Sequence, residues 1–310
     1  MRVRKIDAKR HISREEELNL VGEHIDESFA DTIISGGDEV VEIYKEDGSL
    51  LLKYLPGVLS SKCVDDSYDV FKYAASLSRP DNRQTAVGNK FKGVRYRKDG
   101  TAGNTTAIPF LQTPELQHMY ASVMGFTDRY VRFPLCRATA FNAKNPILFD
   151  RTVPFLQEVS DVFKDHVPHR HKAQKIKCDL SHQDYIIPGT VFTSITVNRN
   201  FRVACHYDAG DLKEGFGCLS AITKGEYEGS YTVFPAHRVG VDLRTGDVLL
   251  ADVHELHGNT PYRRCVPGKY ERVAMVMYYR EGIVECESLK DEIKRAKSFG
   301  SGSLSEERRC

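Results

Sequence analysis

No stretch of this 310-residue chain approaches the roughly 18 apolar residues that a membrane-spanning helix needs. The first residues, MRVRKIDAKRHISREEEL, are basic and then acidic, with no apolar core of a secretory signal. An intracellular setting is therefore expected, nuclear if the source is eukaryotic, with no membrane partner. Cysteine is sparse and scattered, at positions 63, 136, 178, 205, 218, 265, 286 and 310. No two form a C-x-x-C pair, which removes zinc-ribbon and thioredoxin-like readings, and reduced thiols are expected throughout. An excess of one charge is missing too: 44 Lys and Arg stand against 43 Asp and Glu, for a net charge of +1. Attraction to nucleic acid would have to come from local patches. There is no GxGxxG, no P-loop and no internal repeat.

What is present is a globular composition, 41% apolar and 28% charged, on a chain long enough for one sizeable core. Residues 1–36 are charged and end in SGGD, as an N-terminal extension would. EVVEIYKEDGSLLLKYL (39–55) predicts two strands around an Asp47-Gly48 turn, and KCVDDSYDVFKYAAS (62–76) a helix. Residues 80–106, rich in Gly, Asn and Thr, are long enough for a functional loop. A helix is expected over 114–124, with Thr113 as N-cap and Pro114 at its first position. Another is expected over 152–165, where Val153, Leu156, Val159 and Phe163 share a face. From about 190 the texture changes to short β-rich runs, VFTSITV, FRVAC, CLSAI, YTVF, GVDL, DVLLADV and RVAMVMYY, parted by Gly- and Asp-containing turns. That spacing predicts a β-sandwich or barrel. The tail SFGSGSLSEERRC reads as disordered.

The chemistry concentrates after FRVAC. His206 and Asp208 leave that run as a His-x-Asp pair, DVLLADVHELHGNTP ends a later strand with His254 and His257, and Arg272 opens the next one. Two imidazoles and one carboxylate can occupy one face of Fe(II) and leave positions open for cosubstrate and O2. A guanidinium suits the distal carboxylate of 2-oxoglutarate because its fork is bidentate and never deprotonates. His-x-Asp also occurs at His24 and His182, but neither follows a strand. The pattern alone is weak; its strength is the ordered set on an all-β frame.

HYDAGDLKEGFGCL, GEYEGSYTVFPAHRVGVDLRTGDVLLADVHELHGNTP and ERVAMVMYYRE resemble the TET/JBP dioxygenases, in particular their base-J thymine hydroxylase, phage, algal and fungal branch. The resemblance is dense over about 190–285, and YLPGVLSSKCVDDSYDVF and DNRQTAVGN echo the family's N-terminal segment. It implies an α+β protein with a double-stranded β-helix (jelly-roll) core and supporting N-terminal helices. A single dioxygenase domain would span 37–293, with residues 294–310 a disordered tail. It implies Fe(II) and 2-oxoglutarate as cofactors, with His206, Asp208 and His257 as iron ligands and Arg272 as the oxoglutarate arginine. His257 is preferred to His254 because LHGNTP resembles the family's own His-to-Thr-Pro segment. The implied reaction is hydroxylation of the 5-methyl group of thymine or 5-methylcytosine in DNA, through a ferryl species acting on a flipped-out base.

Two basic patches are candidates for holding DNA. NKFKGVRYRK (89–98) carries Lys90, Lys92, Arg95 and Arg97 among aromatics and adjoins Asn82 and Arg83 of DNRQTAVGN. HVPHRHKAQKIK (166–177) gathers histidines and lysines after a helix. Such segments neutralise phosphates and stack bases. Two rival readings keep parts of this set: an oxygenase acting on a protein side chain or small molecule, and a β-barrel binding module without catalysis.

Overall fold

The computed structural model describes residues 2–78, 84–88, 92–96, 102–107, 119–130, 134–266 and 268–302. Along the chain run β1 (Arg2–Asp7), α1 (Arg14–Asn19), β2 (Thr32–Ser35), β3 (Glu39–Tyr44), β4 (Leu50–Leu55) and α2 (Ser61–Ser76). Then come β5 (Lys92–Tyr96), β6 (Ala102–Ala107), β7 (Tyr120–Thr127), β8 (Arg137–Ala138), α3 (Ala140–Lys144), α4 (Pro146–Asp150), α5 (Val153–His166) and α6 (Pro168–Leu180). The C-terminal part carries β9 (Ser194–Arg199), β10 (Gly217–Lys224), β11 (Glu228–Gly229), β12 (Thr232–Phe234), β13 (Val239–Asp242) and β14 (Val248–Ala251). It ends with β15 (Gly258–Asn259), β16 (Tyr262–Arg263), β17 (Glu271–Tyr278) and α7 (Leu289–Gly302). The chain divides into two compact units, one of residues 1–122, 196–209 and 217–276, the other of 123–195, 210–216 and 277–310.

The first unit is built on two sheets. One has the strand order β1-β3-β4-β14-β10-β17-β9, the other β15-β12-β13-β2. Their facing side chains make a shared core, in which Ile34, Phe234, Val239 and Val241 pack with Val41, Ile43, Leu52, Tyr54, Leu219, Leu249 and Ala251. Burial of this apolar area, worth about 25 cal/mol per Å2, dominates the unit's stability. The Asp47-Gly48 turn joins β3 and β4 as expected, with Gly48 at φ +78°. The charged N-terminal segment also contributes strands: β1 pairs parallel with β3 and β2 parallel with β13.

The second unit holds α3–α7 with β7 and β8. Helix α5 appears where its periodicity placed it, burying Phe155, Leu156, Val159 and Phe163. Four expectations are corrected. Strand β7 occupies most of the described part of the helix expected over 114–124. Gly125 follows within the same strand at φ +87°, where a Cβ would lie 2.4 Å from the Thr193 carbonyl, so this position cannot carry a side chain. The basic stretch 166–177 is itself largely helix α6, with Pro168 at the first turn, as suits a residue lacking an N–H. Within it, His171 sets its ring edge-on to Phe163 at 5.4 Å and Lys175 pairs with Asp179, so part of the patch is structural. Cys136 and Cys286, 150 positions apart, form a disulfide with Cα atoms 5.8 Å apart, where reduced thiols were expected. Helix α7 runs to Gly302, into the stretch read as disordered. Among the described residues no helix is long and apolar enough to cross a membrane.

Candidate metal centre

His206, Asp208 and His257 all lie in the first unit, and their ligating atoms fall within 4.8 Å of one another. Backbone pairing brings them together. His206 and His257 form an antiparallel bridge, His206 N–H donating to the His257 carbonyl (2.9 Å) and His257 N–H to that of His206 (3.1 Å). Asp208 N–H donates to the Val253 carbonyl at 3.1 Å, returning the chain to the same turn. Gly258 permits the approach, since a Cβ there would meet Cys205 N at 3.0 Å.

The run FRVAC before His206 is not the regular strand expected. Its groups find separate partners: Ala204 N–H donates to Ala86 O, Cys205 N–H to Glu23 O, and Val203 O accepts from Asn259 N–H. These partners are scattered over a short helical segment, a loop and the end of β15, so no ladder forms.

Both imidazoles are oriented in the same manner. His206 Nδ1 lies 2.9 Å from the Ala204 carbonyl and His257 Nδ1 3.0 Å from the Glu255 carbonyl. A proton on each Nδ1 donates to that carbonyl, which leaves Nε2 as the metal-facing atom. The Nε2 atoms sit 3.4 Å (His206) and 3.6 Å (His257) from the two carboxylate oxygens of Asp208. Burial and the adjacent His206 push His257 down to about 4, keeping it neutral at physiological pH. Burial works to raise the Asp208 pKa, but the hydrogen bond and charges of the two histidines outweigh it and hold the carboxyl below its usual range. A neutral imidazole and an ionised carboxylate are the forms that bind a metal. Two nitrogens and one carboxylate, with no thiolate, suit a ferrous ion bound on one face.

His254 is turned elsewhere: its N–H donates to Asp252 Oδ1 at 3.3 Å and its Nδ1 lies 3.5 Å from the same oxygen. His254→Ala is accordingly expected to retain Fe(II) binding in calorimetric titration, while His257→Ala loses it; the reverse pattern would reassign the ligand. The other His-x-Asp pairs also stand apart from the metal set. His182 caps a turn, accepting from Asp184 N–H at 3.3 Å, and His24 packs against Gly88.

Two supports had no local signal in the sequence. Lys45 reaches Asp252 (3.0 Å) and Glu255 (3.1 Å), gripping the turn that carries His257 from more than 200 positions away. Arg14 lies 5.0 Å from the ring of Tyr207, between the first two ligands, and pairs with the fully buried Glu17 at 2.8 Å.

Arg272 is the second residue of β17 and is 4% exposed, with its backbone N–H donating to Asn200 Oδ1 at 2.9 Å. Its guanidinium has no ion pair among the described residues, although a buried charge is costly without one. A buried guanidinium without an ion pair is a candidate anion site. Of the residues expected to hold DNA, Asn82, Arg83, Lys90 and Arg97 lie outside the described residues. Lys92 and Arg95 belong to β5, which pairs antiparallel with β6, so that part of the expected loop is a hairpin.

Residues 122–281, more than half of the chain, match the Tet_JBP family model, described as the oxygenase domain of the 2OGFeDO superfamily. The bifunctional helicase and thymine dioxygenase JBP2 of Leishmania braziliensis is 35% identical over 165 residues, 52% of this chain and 14% of that protein. Thymine dioxygenase JBP1 of Trypanosoma brucei brucei is 34% identical over 175 residues, 55% of this chain and 20% of that protein. The matched stretch thus spans a fifth or less of these relatives' length. The solved structure of NgTET1 in complex with 5mC DNA superposes with a TM-score of 0.55 at 15% identity, covering 93% of this chain and all of that one. That likeness establishes the α+β jelly-roll fold of the 2-oxoglutarate oxygenases.

Proposed function

This chain belongs to the TET/JBP family of oxygenases, and we propose that it is an Fe(II)- and 2-oxoglutarate-dependent dioxygenase hydroxylating the 5-methyl group of thymine or 5-methylcytosine in DNA. The observation that carries the reading is the convergence of His206, Asp208 and His257 on one point, with the buried Arg272 guanidinium, which has no ion pair among the described residues, in the same unit. The names of the trypanosomatid relatives and the DNA held by the solved neighbour support the substrate class.

With both cofactors bound, O2 and 2-oxoglutarate are consumed, succinate and CO2 leave, and one oxygen atom enters a methyl C–H bond as a hydroxyl. The chain's own part is binding and orientation. The Ala204 and Glu255 carbonyls hold the two imidazoles with Nε2 outward, and Asp208 supplies the anionic ligand. Arg272 would hold the distal carboxylate of the cosubstrate, the guanidinium fork being suited to it. A methyl group stacked inside a duplex is out of reach, so the base must leave the stack. Asn82, Arg83, Lys90, Lys92, Arg95 and Arg97 hold the DNA backbone around it in this proposal.

Nucleoside mass spectrometry of thymine-rich and 5-methylcytosine DNA treated with the enzyme tests the substrate. A 5-hydroxymethylpyrimidine is expected in at least one, and none in either polymer overturns the assignment. Glutamine at Lys90, Lys92, Arg95 and Arg97 together is expected to weaken DNA binding and flatten its salt dependence, because released counterions scale with phosphates contacted. An unchanged salt slope would move the footprint elsewhere, α6 being the next place to look.

A further inference from the structure

The stretch matched by the family model begins at residue 122, yet the candidate ligands are held by residues 10–25. Gly22 N–H donates to the Cys205 carbonyl at 2.7 Å, and Cys205 N–H to that of Glu23 at 2.9 Å. The segment thus pairs with the residue just before His206. Ile25 is buried in one cluster with Cys205 and Leu256, the residues that precede His206 and His257. Leu20, Val21 and Tyr207 pack against the same cluster.

A chain of charged side chains runs over this packing. Arg14 lies 5.0 Å from the ring of Tyr207 and pairs with Glu17 at 2.8 Å. Glu17 pairs in turn with Arg10, and Arg10 reaches the Glu255 carboxylate at 3.7 Å. The Glu255 carbonyl lies 3.0 Å from His257 Nδ1 and so orients the third ligand. The chain therefore starts between His206 and Asp208 and ends at the residue that aims His257. Helix α1 supplies its centre. Ser13 and Glu16 form a capping box at its start, and Arg14 and Glu17 stand about one turn apart on one face. Glu17 is fully buried, and its Oε1 makes no hydrogen bond of good geometry with the described residues. A buried carboxylate between two arginines gains little stability, because drying the charges offsets their attraction. The oxygen left without a donor makes the arrangement costlier still. What such a group does supply is a fixed geometry.

We propose that α1 is a positioning element of the metal centre, in which Glu17, acting through Arg14 and Arg10, ties the two ligand-bearing segments together. Donors already set in place bind a metal more tightly than donors that must be ordered on binding. The inference rests on the assignment of His206, Asp208 and His257 as ligands. It adds to them positioning residues from the charged N-terminal segment, outside the stretch matched by the family model.

Three measurements test it together: calorimetric titration with Fe(II) without O2, the visible absorption of the protein loaded with Co(II), and thermal melting before metal is added. Glu17→Gln keeps the shape and removes the charge that both arginines share. Arg10→Met cuts the link to Glu255 but leaves Glu17 with Arg14 and Glu255 with Lys45. Each is expected to weaken Fe(II) binding about tenfold, the lower end of what losing an outer-shell partner costs. Each is also expected to shift the Co(II) ligand-field bands, which report the geometry of the donors. Arg10→Lys keeps the charge and is expected to recover most of the affinity. Val41→Ala, a truncation in the core between the sheets, is the control, lowering the melting temperature with parent-like Co(II) bands. Should Glu17→Gln not fold, Arg10→Met and Arg10→Lys carry the test alone. Parent-like affinity and bands, or changes no larger than Val41→Ala gives at the same loss of melting temperature, overturn the proposal and leave α1 structural. Arg10→Lys binding as weakly as Arg10→Met overturns it too, since the tie acts through charge. Asp208→Ala separates the two readings. If it binds Fe(II) as the parent does, the metal site itself is misplaced; if it loses binding while Glu17→Gln and Arg10→Met keep it, only the tie falls.

Discussion

Alanine at His206 or at Asp208 is expected to abolish turnover and to lower Fe(II) affinity by at least about 100-fold, more than the 10- to 100-fold that losing an outer-shell partner costs. Each substitution removes one of three candidate ligands whose donor atoms already converge. The fold should survive. The bridge between His206 and His257 is made by backbone atoms, and so is the bond from Asp208 N–H to Val253, so neither depends on the side chains. The His206 and Asp208 side chains are also 17% and 28% exposed, which limits the cavity that truncation leaves. Circular dichroism and melting temperature check the fold, and calorimetry with Fe(II) checks the site. Full metal affinity in either variant would remove it from the ligand set.

Arg272→Met is expected to raise the dissociation constant for 2-oxoglutarate by roughly 100- to 1,000-fold. Taking one partner from a buried charge pair costs about 3–5 kcal/mol, and each 1.4 kcal/mol is about a factor of ten. Metal affinity should change little, since Arg272 is not among the ligands. The protein without cosubstrate should be no less stable, because a buried guanidinium with no ion pair among the described residues gives way to an apolar chain of similar length. Calorimetry with the metal-loaded variant reads the effect directly. An unchanged constant would place the carboxylate on another cation.

The site was more legible in the sequence than the frame around it. His206, Asp208 and His257 stand out in the sequence by residue type and order, and their candidate ligand atoms converge in the fold, while Arg272 is second in β17. His254 and His257 could not be separated by spacing, because the distinction lies in a side chain turned to Asp252. Helices α2 and α5 were visible because their apolar faces repeat with the helical period. Strand β7 was misread because its apolar residues fit that period too. Helix α6 was hidden by its polarity, though Pro168 marked its start. The Cys136–Cys286 disulfide and the reach of Lys45 to Asp252 and Glu255 join positions far apart in the chain. No local pattern announces such contacts; they exist only once the chain has folded.

The most direct test is a single reaction in which succinate and oxidised base are counted together. Enzyme loaded with Fe(II) is mixed with limiting 2-oxoglutarate, O2 and DNA containing thymine and 5-methylcytosine, and both products are quantified by mass spectrometry. The account predicts one 5-hydroxymethylpyrimidine for each succinate in the first turnover, and neither product with Asp208→Ala. Succinate formed in equal amount with no oxidised pyrimidine would contradict the nucleic-acid substrate, and no succinate at all would contradict the metal and cosubstrate site.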